Sequence, residues 1–303
     1  MDYKKLIKSR EVRVRLMRLL SFVPDRLMVQ IQYYIKTGRK LNLKNPQRFT
    51  EKLQWYKLYY RDPLMQRCVD KFDVREYVRE CGYGGALVEL LGVYDTPEEI
   101  DFTSLPNQFV IKDTLGGGGN SVIICKDKET LDIPLTKERI KRWIEPVQGK
   151  HPGREWVYDQ EKNRIIIEKY IDSDEQTGGL VDYKFFCFGG KVAYVYGIAD
   201  RALADQVGLG VFTPDFELLP YRRMDERPLT RKLKKPINYE QMVACAEKLS
   251  RPFPHARVDL YNVDGKILFG EITFFDGSGY MKYDPDEFDF VLGNAFELPP
   301  KLS

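Results

Sequence analysis

The sequence predicts an α+β fold, and three observations support that prediction. Over residues 1–62, apolar side chains recur at helical spacing, most clearly at Leu27, Met28, Ile31, Tyr34 and Ile35 after Pro24. From about residue 86 the spacing changes to that of strands separated by turns. Helices near 136–145 and 239–249 interrupt this strand-rich part, and the chain shows neither repeats nor a low-complexity linker.

Local signals predict where the first helices begin and end. Thr50 is a candidate N-cap for a helix that follows it. Asp62 before Pro63 is a strong start signal, because proline fits the first position of a helix. A further helix includes or begins at Asp70, and Gly82 is placed to end it.

The composition excludes several classes of protein. The 303 residues, 43% of them hydrophobic and 31% charged, fit a globular protein large enough to divide into subdomains. The sequence contains no apolar run of about 18 residues, and its basic N-terminus lacks the apolar core of a signal peptide. Five scattered cysteines and two histidines argue against a His/Cys metal site and favour a reduced, cytoplasmic protein.

Positive charge is concentrated at the N-terminus. Residues 1–50 contain 13 Lys and Arg against 3 acidic residues, a net charge of +10, whereas the whole chain carries +3. An anionic membrane face, a nucleic acid or an anionic glycan could bind such a segment, and a solvated helix face is the alternative. Nucleic acid is not expected, since the nearby aromatic residues Trp55, Tyr56, Tyr59 and Tyr60 lie at the helical spacing of a core.

Four consecutive glycines, Gly116–Gly119, follow an apolar run that contains Lys112 and precede a second apolar run. Glycines let backbone N–H groups approach a polyphosphate, and a lysine supplies a positive charge beside it. The segment matches neither the phosphate-binding loop that ends in Gly-Lys-Ser/Thr nor GxGxxG. We therefore predict a glycine lid between two β-strands, with a flexible surface hairpin as the alternative.

A second constellation of polar residues lies in a predicted hairpin that turns at Asp264-Gly265. A two-residue loop would pair Asp259 with Gly270 and send Glu271 to the opposite face. We predict instead a three-residue loop with a bulge, which pairs Asp259 with Phe269 and makes Asp259 and Glu271 diagonal neighbours about 7–8 Å apart.

This register pairs Arg257 with Glu271 and places Arg257, Asp259, Glu271 and Thr273 on one face of the hairpin. Two carboxylates with an arginine suit Mg²⁺-bound triphosphate, because Mg²⁺ takes one or two carboxylates in addition to phosphate oxygens. A simple cross-strand ion pair between Arg257 and Glu271 is the alternative.

In this order, the lysine strand, the glycine loop and the Arg-x-Asp…Glu hairpin resemble the ATP-grasp superfamily of carboxylate–amine ligases, from about Asp70 to Gly279. The intervening Ile165–Ile171 resembles the hinge of that superfamily. More narrowly, the chain resembles TupA-like ATP-grasp proteins in segments 45–55, 69–78, 182–191 and 253–261. Such proteins are associated with the synthesis of cell-surface polysaccharides, including teichuronopeptide.

The resemblance implies ATP and Mg²⁺ as cofactors and assigns roles to individual residues. The phosphates would be held by Lys71 and Lys112 under Gly116, Gly117, Gly118 and Gly119, and the adenine by Glu168, Lys169, Tyr170 and Ile171. The Mg²⁺ ligands would be Asp259, Glu271 and Thr273, with Arg257 on the γ-phosphate. Weaker assignments are Asp182 to the ribose, Lys184 to a phosphate or acceptor, and Arg201 to the reacting phosphate or an anionic acceptor.

The sequence departs from the family pattern after the second carboxylate. Thr273 stands where these enzymes usually carry asparagine, and its hydroxyl is a weaker ligand than a carboxamide oxygen. Asp276 is a candidate to compensate. Asp276 and His255 are also the candidate general bases for the attacking amine, although a lone histidine before a strand is more often structural.

The implied fold is the ATP-grasp fold, in which two α+β subdomains grip ATP, with a helical N-terminal region. The implied domains are a basic helical region over 1–68, a subdomain with the lid over 69–170, and a subdomain with the Mg²⁺-binding hairpin over 171–303.

The implied activity is an ATP-dependent ligase that activates a carboxylate, from a uronic acid of a surface glycan or an amino acid, and joins it to a small amine or amino acid. A glycan kinase using the same residues and a nucleotide-binding scaffold are the alternatives. The expected location is the cytoplasm, at the inner face of the membrane, with contact through residues 1–50.

Overall fold

The computed structural model describes residues 10–117, 121–145, 149–173, 179–200 and 207–301. The chain forms two compact units. The larger unit comprises residues 1–63, 148–159 and 174–303, and the smaller unit comprises residues 64–147 and 160–173. Each unit is therefore built from segments that are not consecutive in the sequence.

The first five helices precede all of the strands, and the strands that follow form largely antiparallel sheets interrupted by single helices, which confirms the predicted α+β class. The helices are α1 Arg10–Leu19, α2 Asp25–Thr37, α3 Phe49–Tyr59, α4 Pro63–Val69, α5 Val74–Glu80, α6 Ile133–Ile144, α7 Tyr239–Ser250 and α8 Glu287–Ala295. The strands are β1 Leu90–Tyr94, β2 Phe109–Asp113, β3 Val122–Cys125, β4 Ile165–Lys169, β5 Asp182–Phe188, β6 Lys191–Ala199, β7 Gly208–Phe212, β8 Arg222–Arg223, β9 Arg227–Pro228, β10 His255–Val263, β11 Lys266–Thr273 and β12 Tyr283–Asp284.

Several predicted helix boundaries are confirmed and others are wrong. α4 begins at Pro63 as predicted. Thr50 is not an N-cap: α3 begins at Phe49, and the Thr50 hydroxyl instead donates to Asp289 Oδ2 at 2.8 Å. The Asp70 carboxylate accepts two backbone N–H bonds in a turn that precedes α5, so it lies before the helix.

The spacing in α2 correctly predicts a helix but not its buried face. Met28 is buried, whereas Leu27, Ile31, Tyr34 and Ile35 are exposed. The buried face contains Met28, Val29, Gln32, Tyr33 and Thr37. Polar groups at these positions find partners inside, since Tyr280 Oη donates to Gln32 Oε1 at 2.7 Å and the Tyr33 hydroxyl lies 2.9 Å from that of Thr50.

The smaller unit contains a four-stranded antiparallel sheet in the order β1-β4-β2-β3. Alternate residues of β2 and β4 point into one apolar core, where Phe109, Ile111, Ile165 and Ile167 pack with Ile140 of α6. The opposite face of the same two strands carries Lys112 and Glu168.

The larger unit contains a six-stranded sheet in the order β11-β10-β5-β6-β7-β9, in which the β7–β9 pair is parallel and the others are antiparallel. α7 packs on β5, β6 and β10. Strands β10, β5 and β11 bury the apolar side chains of one face, including Val258, Leu260, Phe185 and Ile272. Their other face is left for polar residues because side chains alternate along a strand.

The hairpin of β10 and β11 has a different register from the predicted one. Val263 pairs with Lys266, so the loop has two residues, and Asp264 and Gly265 both have positive φ values of 51° and 83°. A bulge at Gly270 then shifts the ladder, and Asp259 pairs directly with Glu271 rather than with Phe269. Arg257 pairs with Thr273 instead of Glu271.

The bulge explains why the four polar residues, Arg257, Asp259, Glu271 and Thr273, share one face although the predicted register was wrong. One extra residue in β11 reverses the side-chain alternation that a two-residue loop alone would impose. A Cβ at Gly270 would lie 3.0 Å from the Asp259 carbonyl oxygen, so the close approach favours glycine at this position.

Candidate functional site

In the smaller unit, the start of the glycine loop is held by a set of hydrogen bonds. The Lys71 N–H donates to the Thr114 carbonyl at 2.9 Å, and Lys71 Nζ donates to the carbonyls of Thr114 and Gly116. Asn163 accepts from the Leu115 N–H at 3.2 Å through Oδ1. Lys71 thus lies at the base of the predicted lid, and Asn163 is a supporting residue that no sequence pattern indicated.

Asp113, at the end of β2, stabilises the base of this loop through two hydrogen bonds. Its Oδ1 accepts from the Gly116 N–H at 2.8 Å, and its Oδ2 accepts from Asn163 Nδ2 at 3.2 Å. Burial raises the pKa of Asp113, against the lowering effect of the Lys71 charge. A Cβ on Gly116 would lie 1.9 Å from Asp113 Oδ1, so this position requires glycine.

We predict that Gly116→Ala lowers the free energy of unfolding by about 1–3 kcal/mol, because the new methyl breaks the hydrogen bond to the Asp113 carboxylate. Gly117→Ala is the matched control, because a Cβ on Gly117 has no atom within 4 Å. Chemical denaturation of both variants measures the difference. Equal stability of the two variants would contradict the prediction.

On the polar face of the small sheet, Lys112 and Glu168 form an ion pair of 2.8 Å between Nζ and Oε2. Arg75 Nη1 of α5 binds the other Glu168 oxygen at 2.9 Å, and Arg75 Nη2 donates to the Val88 carbonyl at 2.7 Å. The predicted phosphate-binding lysine and the predicted adenine-binding glutamate therefore contact each other. Arg75 lies in a segment that carries the family resemblance, but the sequence assigned it no role.

The rest of the predicted hinge comes directly after Glu168 along the chain. β4 ends at Lys169, whose N–H donates to the Glu89 carbonyl at 2.9 Å and whose side chain is exposed. Tyr170 and Ile171 continue beyond the strand and are half-buried. Gly118 and Gly119 of the predicted lid lie outside the described residues.

In the larger unit, a row of charged side chains crosses three neighbouring strands. Lys184 of β5 pairs in register with Asp259 of β10, and Asp259 pairs with Glu271 of β11. Lys184 Nζ binds the Asp259 carboxylate and lies 2.8 Å from Asp182 Oδ2. We call Asp182, Lys184, Arg257, Asp259, Glu271, Thr273 and Asp276 the hairpin cluster.

Arg257 is the centre of the hairpin cluster. Its guanidinium binds both oxygens of Asp259 at 2.7 Å, the Asp276 carboxylate, Glu271 Oε1 at 3.0 Å and Thr273 Oγ1 at 3.1 Å. It is fully engaged by these bonds and is 7% exposed. Arg223 of β8, which sequence reasoning did not identify, approaches the second Asp276 oxygen at 3.5 Å.

Mutual contact keeps three members of the hairpin cluster, Lys184, Arg257 and Asp259, in their charged forms. Burial by itself would raise the pKa of Asp259, but the charges of Arg257 and Lys184 lower it. Burial would likewise lower the pKa of Lys184, and the Asp259 carboxylate raises it. The pKa of Arg257 rises for the same reason, since Asp259 and Asp276 outweigh its burial.

The donor set of the hairpin cluster fits Mg²⁺ carried by a triphosphate. Across the described parts of the chain, no three His, Cys, Asp or Glu residues group so as to hold a metal ion by themselves. Mg²⁺ instead prefers one or two carboxylates together with phosphate oxygens. Asp259 and Glu271 supply two carboxylates on directly opposite positions, and Glu271 is 38% exposed.

Thr273 and Asp276 take part in the cluster in different ways. The Thr273 hydroxyl accepts from Arg257 and donates to Glu271 Oε1 at 3.2 Å. Asp276, in a short 3-10 helix over Asp276–Gly279, is bound by Arg257. Arg201, the remaining sequence-predicted residue, lies outside the part of the chain that the structure describes.

His255 belongs to the core rather than to the cluster. Its ring packs against Phe49, Phe188 and Phe296 with centroid distances of 5.2, 4.8 and 5.2 Å, and Nδ1 lies 3.0 Å from the Cys187 carbonyl. Burial lowers its pKa to about 4. His255 is therefore packed in the aromatic core, as a histidine with a structural role would be.

We expect His255→Phe to reduce the acid sensitivity of folding. As pH falls from 6.5 towards 4, the unfolded histidine takes up a proton while the buried one does not, which lowers the free energy of unfolding by about 3 kcal/mol. The variant lacks this contribution, so its stability should change less between these pH values. Denaturant titrations across the range test this, and identical pH profiles would contradict it.

Comparison with known proteins gives one family match. The family model described as TupA-like ATPgrasp matches residues 51–297. No curated protein matches the chain significantly. The described residues contain no helix that is both long and apolar enough to cross a membrane.

Solved structures show a more distant similarity. A D-alanine–D-alanine ligase from Bacillus anthracis has 18% identity over 74% of this chain and 59% of that chain, with a TM-score of 0.40. The corresponding ligase from Helicobacter pylori has 15% identity over 77% and 61%, with a TM-score of 0.42. A RimK domain protein from Sphaerobacter thermophilus DSM 20745 has 12% identity over 78% and 70%, with a TM-score of 0.42. The chain thus spans about 59% of the length of the first of these proteins.

Proposed function

Because the chain belongs to the TupA-like ATP-grasp family, we propose that it is an ATP-dependent carboxylate–amine ligase that forms ADP. The acceptor carboxylate is a uronic acid of a cell-surface glycan or an amino acid, and the nucleophile is a small amine or amino acid. The product is an amide-decorated polysaccharide of the capsule or cell wall. Five free cysteines are compatible with a cytoplasmic site of reaction.

In the smaller unit, Lys71 and Lys112 bind the phosphates of ATP, and the loop that begins at Gly116 covers them. Support comes from Lys71 Nζ at the base of this loop and from Lys112 on the polar face of the sheet. Glu168 binds the adenine together with the segment Lys169–Ile171. Its ion pairs with Lys112 and Arg75 orient the carboxylate before nucleotide binds.

In the larger unit, Asp259 and Glu271 hold Mg²⁺, with Thr273 as a weaker ligand. The ion, when bound, neutralises charge on the phosphate oxygens. Arg257 binds the γ-phosphate and then the acyl phosphate, which requires it to exchange part of its contact with the two carboxylates. Lys184 contacts a phosphate or the acceptor, and Asp182 contacts the ribose.

The reaction has two steps. An oxygen of the substrate carboxylate attacks the γ-phosphorus, the bond to the β-phosphate oxygen breaks, and ADP leaves. The amine nitrogen then attacks the carbonyl carbon of the acyl phosphate, loses a proton and expels inorganic phosphate. Positioning and charge neutralisation supply most of the rate, and exclusion of water protects the acyl phosphate from hydrolysis.

One observation carries this proposal: two carboxylates and an arginine meet on one strand face, with Lys184 in the same row. An exposed structural ion pair does not need three buried charged groups, Lys184, Arg257 and Asp259, whose pKa values are shifted by mutual contact and burial.

The test is to incubate the protein with Mg-ATP, a uronate-bearing oligosaccharide and a set of amino acids, and to weigh the products. A ligase gives the mass of an amide and one ADP per amide. A mass gain of one phosphate on the glycan would show a kinase instead. Binding of Mg-ATP without ADP formation for any acceptor would favour a nucleotide-binding scaffold.

A further inference from the structure

The N-terminal helices of the larger unit expose an apolar surface that we call the hairpin face of α1 and α2. On α1, Val12, Leu16 and Leu19 are exposed at spacings of four and three residues. On α2, the exposed apolar residues are Leu27, Ile31, Tyr34 and Ile35. Phe22, between the helices, is 80% exposed. Residues at such spacings lie on one side of each helix, so both helices carry an apolar stripe.

These residues are exposed because the helical segment is bound to the rest of the larger unit through its other side. Arg154 donates to the Leu20 carbonyl at 2.6 Å and to the Val23 carbonyl at 3.4 Å, which ties down the turn between α1 and α2. Gln32 Nε2 donates to the Pro152 carbonyl at 2.8 Å from the buried side of α2. The segment is therefore anchored through its other side, and the apolar stripes face solvent.

Charge complementarity indicates what covers this face. Residues 1–50 carry a net charge of +10, and Arg26, Lys40 and Lys44 within them are exposed. Exposed apolar side chains next to many cations fit the surface of an anionic bilayer, where the apolar groups enter the acyl boundary and the cations meet phosphate headgroups. A second copy of the chain would bring an equal positive charge against this one, which opposes association.

We propose that the hairpin face of α1 and α2 docks the protein onto an anionic lipid bilayer. Phe22 and the apolar stripes of the two helices insert at the headgroup boundary, and the exposed cations Arg26, Lys40 and Lys44 bind the lipid phosphates. The protein lies on the membrane surface. The docking does not depend on which reaction the protein catalyses.

The test is flotation of the full-length protein with vesicles made of equal parts phosphatidylglycerol and phosphatidylcholine, with pure phosphatidylcholine vesicles as the comparison. We expect binding to the anionic vesicles only, and weaker binding as salt is added. Phe22→Ser should weaken partitioning about tenfold, because one large apolar side chain no longer inserts. Ile237→Ser is the matched control, since Ile237 is 98% exposed in the same unit but outside the hairpin face.

Three outcomes would overturn the proposal. The first is no preference for anionic vesicles, and the second is equal binding by the Phe22→Ser and Ile237→Ser variants. The third is concentration-dependent self-association in sedimentation that Phe22→Ser abolishes, which would assign the face to a second copy of the chain. Mg-ATP turnover with a soluble acceptor should be unchanged in Phe22→Ser, so failure of membrane binding is distinguishable from failure of the proposed ligase activity.

Discussion

Replacing Glu271 by glutamine is expected to lower Mg-ATP turnover by about 100-fold or more, because it removes one of the two carboxylate charges that we propose hold Mg²⁺. The substitution removes the charge while keeping the hydrogen bonds, because glutamine has an oxygen that can accept from Arg257 Nη2 and from the Thr273 hydroxyl. Glu271 is 38% exposed, so folding should be little affected. ADP release at several Mg²⁺ concentrations measures the effect, and partial recovery at high Mg²⁺ is expected.

The control for this experiment is Glu240→Gln. Glu240 forms an ion pair with Lys235 at 2.8 Å on the surface of the same unit, and its side chain is 74% exposed. It should retain the turnover of the unmodified protein. If Glu271→Gln turns over Mg-ATP as fast as this control, the role assigned to Glu271 is wrong, whatever the register of the hairpin.

Replacing Arg257 by methionine should lower the free energy of unfolding at neutral pH by about 3–5 kcal/mol, because it leaves buried carboxylates without their main partner. Asp259 would keep Lys184, while Asp276 would keep the more distant Arg223 as its cation among the described residues. Chemical denaturation at neutral pH measures the loss, and Mg-ATP turnover should disappear as well.

The stability lost in Arg257→Met should be largest at neutral pH and should decrease in acid. In the unmodified protein the pKa of Asp259 is lowered by Arg257 and Lys184 despite its burial. Its contribution to stability is therefore present above the pKa of an unfolded aspartate, about 3.9, and is lost as pH falls through the lower folded pKa. In Arg257→Met the carboxylates can be buried uncharged once protonated. The stability difference between the two proteins should therefore shrink as pH falls below about 4.

Arg67→Met provides a matched control for the arginine substitution. Arg67 also binds one carboxylate through two bonds, to Glu80 at 2.8 and 3.1 Å, but this pair lies on the surface. Its loss should change the free energy of unfolding by about 1 kcal/mol or less. A comparable effect of the two substitutions would show that burial of the hairpin cluster does not govern its energetics.

The sequence alone determined the α+β class, the family and the order of the candidate residues along the chain. Lysines, a glycine run and paired carboxylates are recognisable without coordinates because phosphate and Mg²⁺ chemistry requires these residue types. It also determined that Asp259 and Glu271 belong to one hairpin, because Asp264-Gly265 is a turn signal that can be identified locally.

The hairpin register, by contrast, depended on Gly270. The prediction chose the register that places the polar residues on one face and the apolar residues on the other. That choice gave the correct face but the wrong loop length, because a bulge in the strand and a longer loop both reverse the alternation of side chains between the two faces. An isolated glycine in a strand is a signal for a bulge, and Gly270 could have indicated it. The decisive close approach to the Asp259 carbonyl, at 3.0 Å from an added Cβ, exists only in the folded pair of strands.

Only the tertiary structure decided which partners the charged residues have and which helix faces are buried. Arg75 meets Glu168 across 93 positions of sequence, and Arg223 approaches Asp276 from a separate small sheet. α2 buries Tyr33 and exposes Ile31, although the helical spacing of apolar residues favoured the face that carries Ile31. The physical reason is that periodicity is a local property, whereas burial and ion pairing depend on the segments that pack against an element, and these are distant in the chain.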